Sequence, residues 1–472
     1  SATGETGPGL VPRDPKVLSR FVAALNGGFQ AQHGAFGMMS ERVVYLPPKP
    51  FAATVAELSD ENTGFGTWPV DTTIPDEMLS FRQNMTPLIV DGVFNPYHRY
   101  WWGGVPPGWT DESRTVRSGI CLTQEKFVAY FYAESVDANH LAVAMKRARC
   151  TYGIHLDMNP GHVGLEFYRV SKTEDLPSLD RPLEEEWQAR GPVPDANGWE
   201  FMGRRMIRHM ALMNFPRYIQ RESRDFFYLT LRHVLPGPPI AASSAEPDEG
   251  QWRVQGLPQY GWPFAIAMTM LRPDPQQPDV RLSILKIDPK TVQVSIKDDS
   301  RERTIVEFRS SLEVVRGGAA LWLYRFGFQI SQEPPGPDAI RVGWGYTPGD
   351  PRAEGAIAAL GVTEDGMGVY VEVSAGSGRR EAAAALSRTL KQIGCEALVR
   401  IDRPLDLAIG GDRDLAGHPV ARNQRGAVRL VRRQAPGAER IFEQTPIVLP
   451  SVWAPLQAGR ARQVKLEGAP AH

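Results

Sequence analysis

"GICLTQEKFVAYFYAESVDANHLAVAMKRARCTYGIHLDMNP" runs from Gly119 to Pro160, and "LGVTEDGMGVYVEVSAGSGRREAAAALSRTLKQIGCEALVRIDRP" runs from Leu360 to Pro404. Both stretches read on one plan: a strand, a turn after Thr123 or Thr363, a second strand, an Ala-rich helix, a Cys, and a last strand that ends at an Asp. The step from Cys150 to Asp157 equals the step from Cys395 to Asp402, while the helical part differs in length. Equal spacing around a loop of changed length is what a duplicated unit shows. The expected fold class is therefore α+β, as two related domains from an internal duplication, each a mainly antiparallel sheet with packed helices.

Working outward, the stretch between the copies has another character. "LPSLDRPLEEEWQARGPVPDANG" is Pro-rich and charged, "WEFMGRRMIRHMALM" from Trp199 has apolar residues at helical spacing, and "PGPPIAASSAEPDEGQ" reads as an exposed loop. The expected organisation is a first domain over residues 1–170, a helical and Pro-rich connector over 171–250, and a degenerate second copy over 251–472.

Composition narrows the function classes. A chain of 472 residues with 42% hydrophobic content has enough material for more than one core. A formal net charge of -1 excludes the basic footprint of a nucleic-acid binder or a polybasic membrane surface. No run approaches the roughly 18 apolar residues of a membrane-spanning helix, so no transmembrane segment is expected. Cys121, Cys150 and Cys395 form neither a zinc spacing nor a disulfide framework and read as small buried residues. His155 and Asp157 with the later His162 and Glu166 can also be read as a metal cluster, but their spacing matches none of the strong metal motifs, so no metal and no cofactor is expected.

The chemistry gathers in the first copy. In "FVAALNGGFQAQHGAFGMM", Phe21 to Leu25 read as a short strand that presents Asn26 at its end, and Gly27 and Gly28 give a backbone that turns tightly. In "YGIHLDMNPGHVGLEFYR", strand alternation places His155, Asp157 and Asn159 on one face, with His162 and Glu166 following closely. "FRQNMTPLIVDG" sets Arg82, Gln83 and Asn84 before an apolar strand, and "RTVRSGICLT" sets Arg117 where another begins. Arginine offers a planar fork for phosphate oxygens, and amides read sugar hydroxyls as both donor and acceptor.

The order of "TGETGPGLVP", "ALNGGFQAQHGAFGM", "RQNMTPLIVDG", "VRSGICLT" and "IHLDMNPGH" resembles the phosphodiester glycosidase family, with animal and bacterial branches. The resemblance covers about the first 170 residues and implies an α+β domain, secretion or a periplasmic or cell-surface location, and hydrolysis of a sugar-1-phosphodiester or related glycosidic bond. Asn26, Gly27, Gly28, Arg82, Asn84, Arg117 and Asp157 stand at matching motif positions. The chain departs from the family at "MNPGHVGLE", where the animal branch is Gly-rich, so the pocket wall must differ.

On that reading Asp157 stabilises the oxocarbenium-like transition state, with Glu166 or His162 as proton carrier. Asn26, Gly27, Gly28, Arg82, Gln83, Asn84, Arg117, His155 and Asn159 bind the carbohydrate or sugar-phosphodiester substrate. The second copy carries Arg400 and Pro404 where the first has His155 and Asn159, so it is expected to be silent. The alternative is a non-catalytic carbohydrate-binding or cell-surface assembly protein that keeps the fold.

Overall fold

The computed structural model describes residues 7–59, 63–97, 113–125, 127–210, 213–237, 239–241, 249–255, 264–274, 276–295, 304–309, 318–324, 327–373, 379–420 and 428–432. Two compact units divide the chain, Ser1–Arg232 with Ala435–His472, and His233–Gln434. Among the described residues there are six sheets, whereas the α-helices number three and have four, ten and fourteen residues. This mostly β architecture corrects the expected pair of α+β domains: each unit is built from three sheets rather than from one sheet with helices packed on it.

The reason lies in the stretches read as connector. Trp199–Arg205, expected to be helical, is a strand whose Trp199, Phe201 and Gly203 are buried while the residues between them are less so. The period of two outweighs the methionine spacing on which a helix was expected. Gln188–Pro192 and Phe226–Thr230 are strands too. In the first unit these three complete one five-stranded sheet, in the order Gln188–Pro192, Trp199–Arg205, Leu165–Lys172, Phe21–Asn26, Phe226–Thr230.

The second sheet of this unit orders Val128–Val136, Thr115–Thr123, Cys150–His155, Ile89–Val90 and Val93–Phe94. A third sheet orders Val43–Leu46, Met38–Ser40, Met78–Gln83, Ala53–Leu58 and Thr63–Thr67. One apolar cluster draws on all three: Leu25 and Leu165, Ile120 and Ile154, Val55 and Phe65. Each such side chain stabilises the unit by roughly 1.5–3 kcal/mol on burial. The strand ends that emerge from this cluster therefore converge, which is what brings distant polar residues together.

Helix Ala138–Arg147 is capped by Asp137, whose carboxylate accepts from the His140 N–H, and buries Leu141, Ala142 and Met145 against the second sheet. Gly119 makes room for it, since a Cβ there would meet Met145 at 2.4 Å. Cys121 and Cys150 are joined by a disulfide, with Cα atoms 5.8 Å apart. That corrects the expectation of unpaired small residues. Cys121 pairs in register with Gly153 and Cys150 with Thr123, so strand register, and not a spacing in the sequence, sets the partners.

The second unit holds a six-stranded, a four-stranded and a three-stranded sheet, with Arg379–Gln392 its fourteen-residue helix. The two stretches quoted at the outset have one local strand–strand–helix–strand pattern. Thr115–Thr123 pairs with the strands on either side of it as Ala358–Thr363 does. Register shifts occur at Cys150/Tyr152 in one and at Val362/Thr363, opposite Cys395, in the other. The likeness is local. No helix among the described residues is long and apolar enough to cross a membrane.

Candidate functional site

Asn26 ends its strand buried, not presented to solvent. Its Nδ2 donates to Gly27 O at 3.1 Å and Ser118 Oγ at 3.0 Å, and its Oδ1 accepts from Tyr130 Oη at 2.8 Å and Gly164 N at 3.1 Å. Ser118 Oγ in turn donates to Asp157 O at 2.7 Å. One amide thus ties four chain segments together at the place where Asp157 leaves its strand. A buried amide with four satisfied bonds is held in a single orientation.

Gly27 and Gly28 serve a close approach. A Cβ on Gly27 would lie 1.9 Å from Asp225 Oδ2, and one on Gly28 would lie 3.0 Å from the Arg82 guanidinium. Asp225 Oδ2 accepts from Gly28 N at 3.0 Å and from Arg82 Nε at 2.7 Å. Arg82 also donates to Phe36 O, Gln83 O and Phe29 O. Its fork is therefore committed to the protein and to Asp225.

Gln83 and Asn84 are likewise engaged. Gln83 accepts from Gly37 N and Lys49 N and donates to Lys49 O and Thr54 Oγ1. Asn84 accepts from Phe29 N and donates to His155 O. Arg117, fully buried, donates to Val136 O, Ser113 O and, at 3.0 Å, to His155 Nε2. Guanidinium has no acceptor, so that contact places the His155 proton on Nδ1. Burial, and then the Arg117 charge, hold His155 well below the usual imidazole range.

Asp157 lies just beyond the Cys150–His155 strand and is 7% exposed. Oδ1 accepts from Met158 N at 2.8 Å and Asn159 N at 3.2 Å, and Oδ2 accepts from Arg224 Nη1 at 2.7 Å. Burial pushes this carboxyl up, against the opposing pull of Arg224 and the two amides. Asn159 is exposed at the turn, and its carbonyl accepts from His162 N at 3.0 Å.

Glu166, fully buried on the Leu165–Lys172 strand, accepts from Tyr168 Oη and from Arg217 N. Desolvation raises it above the ordinary carboxylate range. His162 is half-buried; its Nδ1 lies 3.3 Å from Arg217 Nη2, and its carbonyl accepts from Arg217 Nη1. Desolvation, then the Arg224 and Arg217 charges, lower its pKa. Arg217 is paired with Glu222, whose carboxyl burial would raise but the hydrogen bond and charge of Arg217 bring down.

Eight of the residues named from the sequence fall into two sets, with Asn26 bonded between the segments that carry them and Glu166 buried behind Arg217. Arg82, Gln83, Asn84, Arg117 and His155 form an internal polar framework, while Asp157, Asn159 and His162 lie at its outer edge. Sequence reasoning missed the segment that completes that edge. Arg217, Glu222, Arg224 and Asp225 all come from "RYIQRESRDFF", within the stretch read as connector. Its signal was a dense alternation of charges directly before an aromatic strand. Among the described residues no group of three or more His, Cys, Asp or Glu is placed to hold a metal ion.

No protein-family model matches the chain, and no curated protein does. Among solved structures the chain is distantly similar to the zebrafish N-acetylglucosamine-1-phosphodiester alpha-N-acetylglucosaminidase catalytic domain auto-inhibited by pro-peptide. The two share 13% identity, the match covers 33% of this chain and 56% of that one, and the TM-score is 0.25.

Proposed function

We propose that the first unit hydrolyses a sugar-1-phosphodiester or a related glycosidic bond, with Asp157 as the carboxylate that faces the anomeric carbon. The observation that carries this reading is the placement of Asp157: a carboxylate at a strand end, oriented by two backbone amides, paired with Arg224 and flanked by His162. Such a group stabilises positive charge that develops on a sugar ring, and a neighbouring arginine accepts the anionic leaving group. The motif order over the first 170 residues supports the same chemistry. Glu166 is too deeply buried and too fully engaged with Tyr168 and Arg217 to reach a substrate, so its part is to hold the Arg217 backbone.

The disulfide between Cys121 and Cys150 supports a secreted, periplasmic or cell-surface location, because such bonds persist in oxidising compartments. The test is hydrolysis of a panel of sugar-1-phosphodiesters and nitrophenyl glycosides by the intact chain and by Asp157→Asn. Turnover that drops at least about a hundredfold in the variant, at unchanged folding, supports the assignment; equal turnover in both removes it.

One observation favours the non-catalytic alternative. Phe167 is 39% exposed in a groove it shares with Met202, Leu179 and Leu183, and the Arg204 guanidinium stacks on it at 5.5 Å. An exposed aromatic face beside donors is a surface on which a sugar ring stacks. Oligosaccharide binding lost in Phe167→Ala, with no turnover of any substrate, selects that reading.

A further inference from the structure

Arg217 donates and cannot accept, since every polar hydrogen of a guanidinium is a donor and none of its nitrogens offers a lone pair. Its Nη2 faces Nδ1 of His162 at 3.3 Å, so Nδ1 must hold the lone pair and the imidazole proton must sit on Nε2. Arg217 is itself fixed, with Nε on Glu222, Nη1 on the His162 carbonyl, its backbone N–H on Glu166, and its guanidinium over the Tyr218 ring at 5.2 Å. The His162 backbone is pinned by its N–H to Asn159 O and by buried Val163 next to it.

Two consequences follow for proton chemistry. A base needs a lone pair facing the substrate, and the only lone pair of this ring faces Arg217. An acid would have to be imidazolium, whose Nδ1 proton would point at a guanidinium. His162 is therefore badly placed to carry a proton, the role first considered for it.

It is well placed to donate a hydrogen bond. The ring is partly exposed, and its Nε2–H has no partner among the described residues. Arg224 is close enough to lower the His162 pKa and gives a hydrogen bond to Asp157 from Nη1; its Nε and Nη2 have no partner among the described residues. The other charges that His162 senses are Arg217, Asp157 and Glu222. Among the described residues Arg217 is paired with Glu222 and Arg224 with Asp157, and the Nε2–H of His162 and the Nε and Nη2 hydrogens of Arg224 are donors without a partner.

We infer that His162 and Arg224 form an oxyanion receptor beside Asp157, in which His162 is a fixed neutral donor through Nε2–H and Arg217 is the residue that positions it. The ligand chemistry is a phosphoryl or similar oxyanion, which Arg224 grips with its free N–H groups and His162 orients. The inference deepens the hydrolase reading and rests on it for the identity of the anion as part of a substrate.

The test uses ring-nitrogen NMR of the full chain, with His162 assigned through His162→Gln. The expected result is an Nε2–H tautomer that is present at about pH 8 and stays neutral below the ordinary histidine midpoint of about 6.5, because desolvation and the Arg224 and Arg217 charges lower its pKa, and that gives way to a mixture of tautomers in Arg217→Met. Inorganic phosphate is expected to shift the His162 signals, with affinity falling about tenfold in His162→Ala and Arg224→Gln but less than about threefold in His162→Gln, which retains a donor. An Nδ1–H tautomer in the wild-type chain, or His162 signals unmoved by phosphate, overturns the inference whether or not Arg217→Met folds. Phosphate binding of the expected pattern without turnover of any sugar phosphodiester keeps the receptor and removes the hydrolase reading. Turnover with His162 titrating near 6.5 does the reverse and restores it as proton carrier.

Discussion

Arg224 Nη1 meets Asp157 Oδ2 at 2.7 Å, and neither side chain is more than 15% exposed. The two residues are 67 positions apart, so the pair joins the end of the Cys150–His155 strand to the loop before Phe226–Thr230. Removing one partner leaves a desolvated charge. Arg224→Met is expected to destabilise the first unit by about 3 kcal/mol, read as a lower denaturation midpoint in urea. Asp157→Asn, which still accepts from Met158 N and Asn159 N, should cost less. Asp402→Asn, at an exposed position of the second unit, should change stability by less than about 0.5 kcal/mol and leave any activity intact.

The glycine beside Asn26 is a steric requirement. Gly27→Ala must displace Asp225, whose carboxylate oxygen lies 1.9 Å from the new Cβ position, and with it the partner of Arg82. A loss of about 1–3 kcal/mol is expected from such overpacking. Gly355→Ala is the control, because nothing lies within 4 Å of its Cβ position. Thermal melts of the two variants should separate them clearly.

Cys121 and Cys150 close a loop of 29 residues, and their replacement by Ala is expected to cost about 3 kcal/mol. A thiol titration of the native chain should find Cys395 alone and slow to react, since burial pushes its thiol up to about 12. Two additional thiols in the unreduced, unfolded chain would show that the bond had not formed.

His155 makes stability fall on the acid side. Its pKa is far below the usual value in the folded protein because of burial and Arg117, while in the unfolded chain it binds a proton near pH 6.5. The unfolded state then holds more protons as pH drops through about 6.5, and stability declines by up to about 1.4 kcal/mol per pH unit from this group. NMR should show the His155 ring neutral where an exposed histidine is already charged. A His155 that titrates near 6.5 in the folded chain removes this contribution.

Some of this was legible in the sequence because it depends on neighbours in the chain. The strand–strand–helix–strand order of Gly119 to Pro160 was readable from periodicity, and so was the placing of Asn26 at a strand end. The Cys150–His155 strand stops short of Asp157 and Asn159, so the alternation expected to put them on one face with His155 does not reach them. The β character of Trp199–Arg205 was hidden by methionines at helical spacing, since both periods fit a short stretch and only pairing with Leu165–Lys172 decides between them. The disulfide depended on register, and the commitment of Arg82 to Asp225 depended on two segments 143 residues apart. By itself the sequence determined which residue types were at hand and the local turns and strands that carry them. Only the tertiary structure decided their partners, because a hydrogen bond or an ion pair acts over a few ångströms in space and leaves no trace in the distance along the chain.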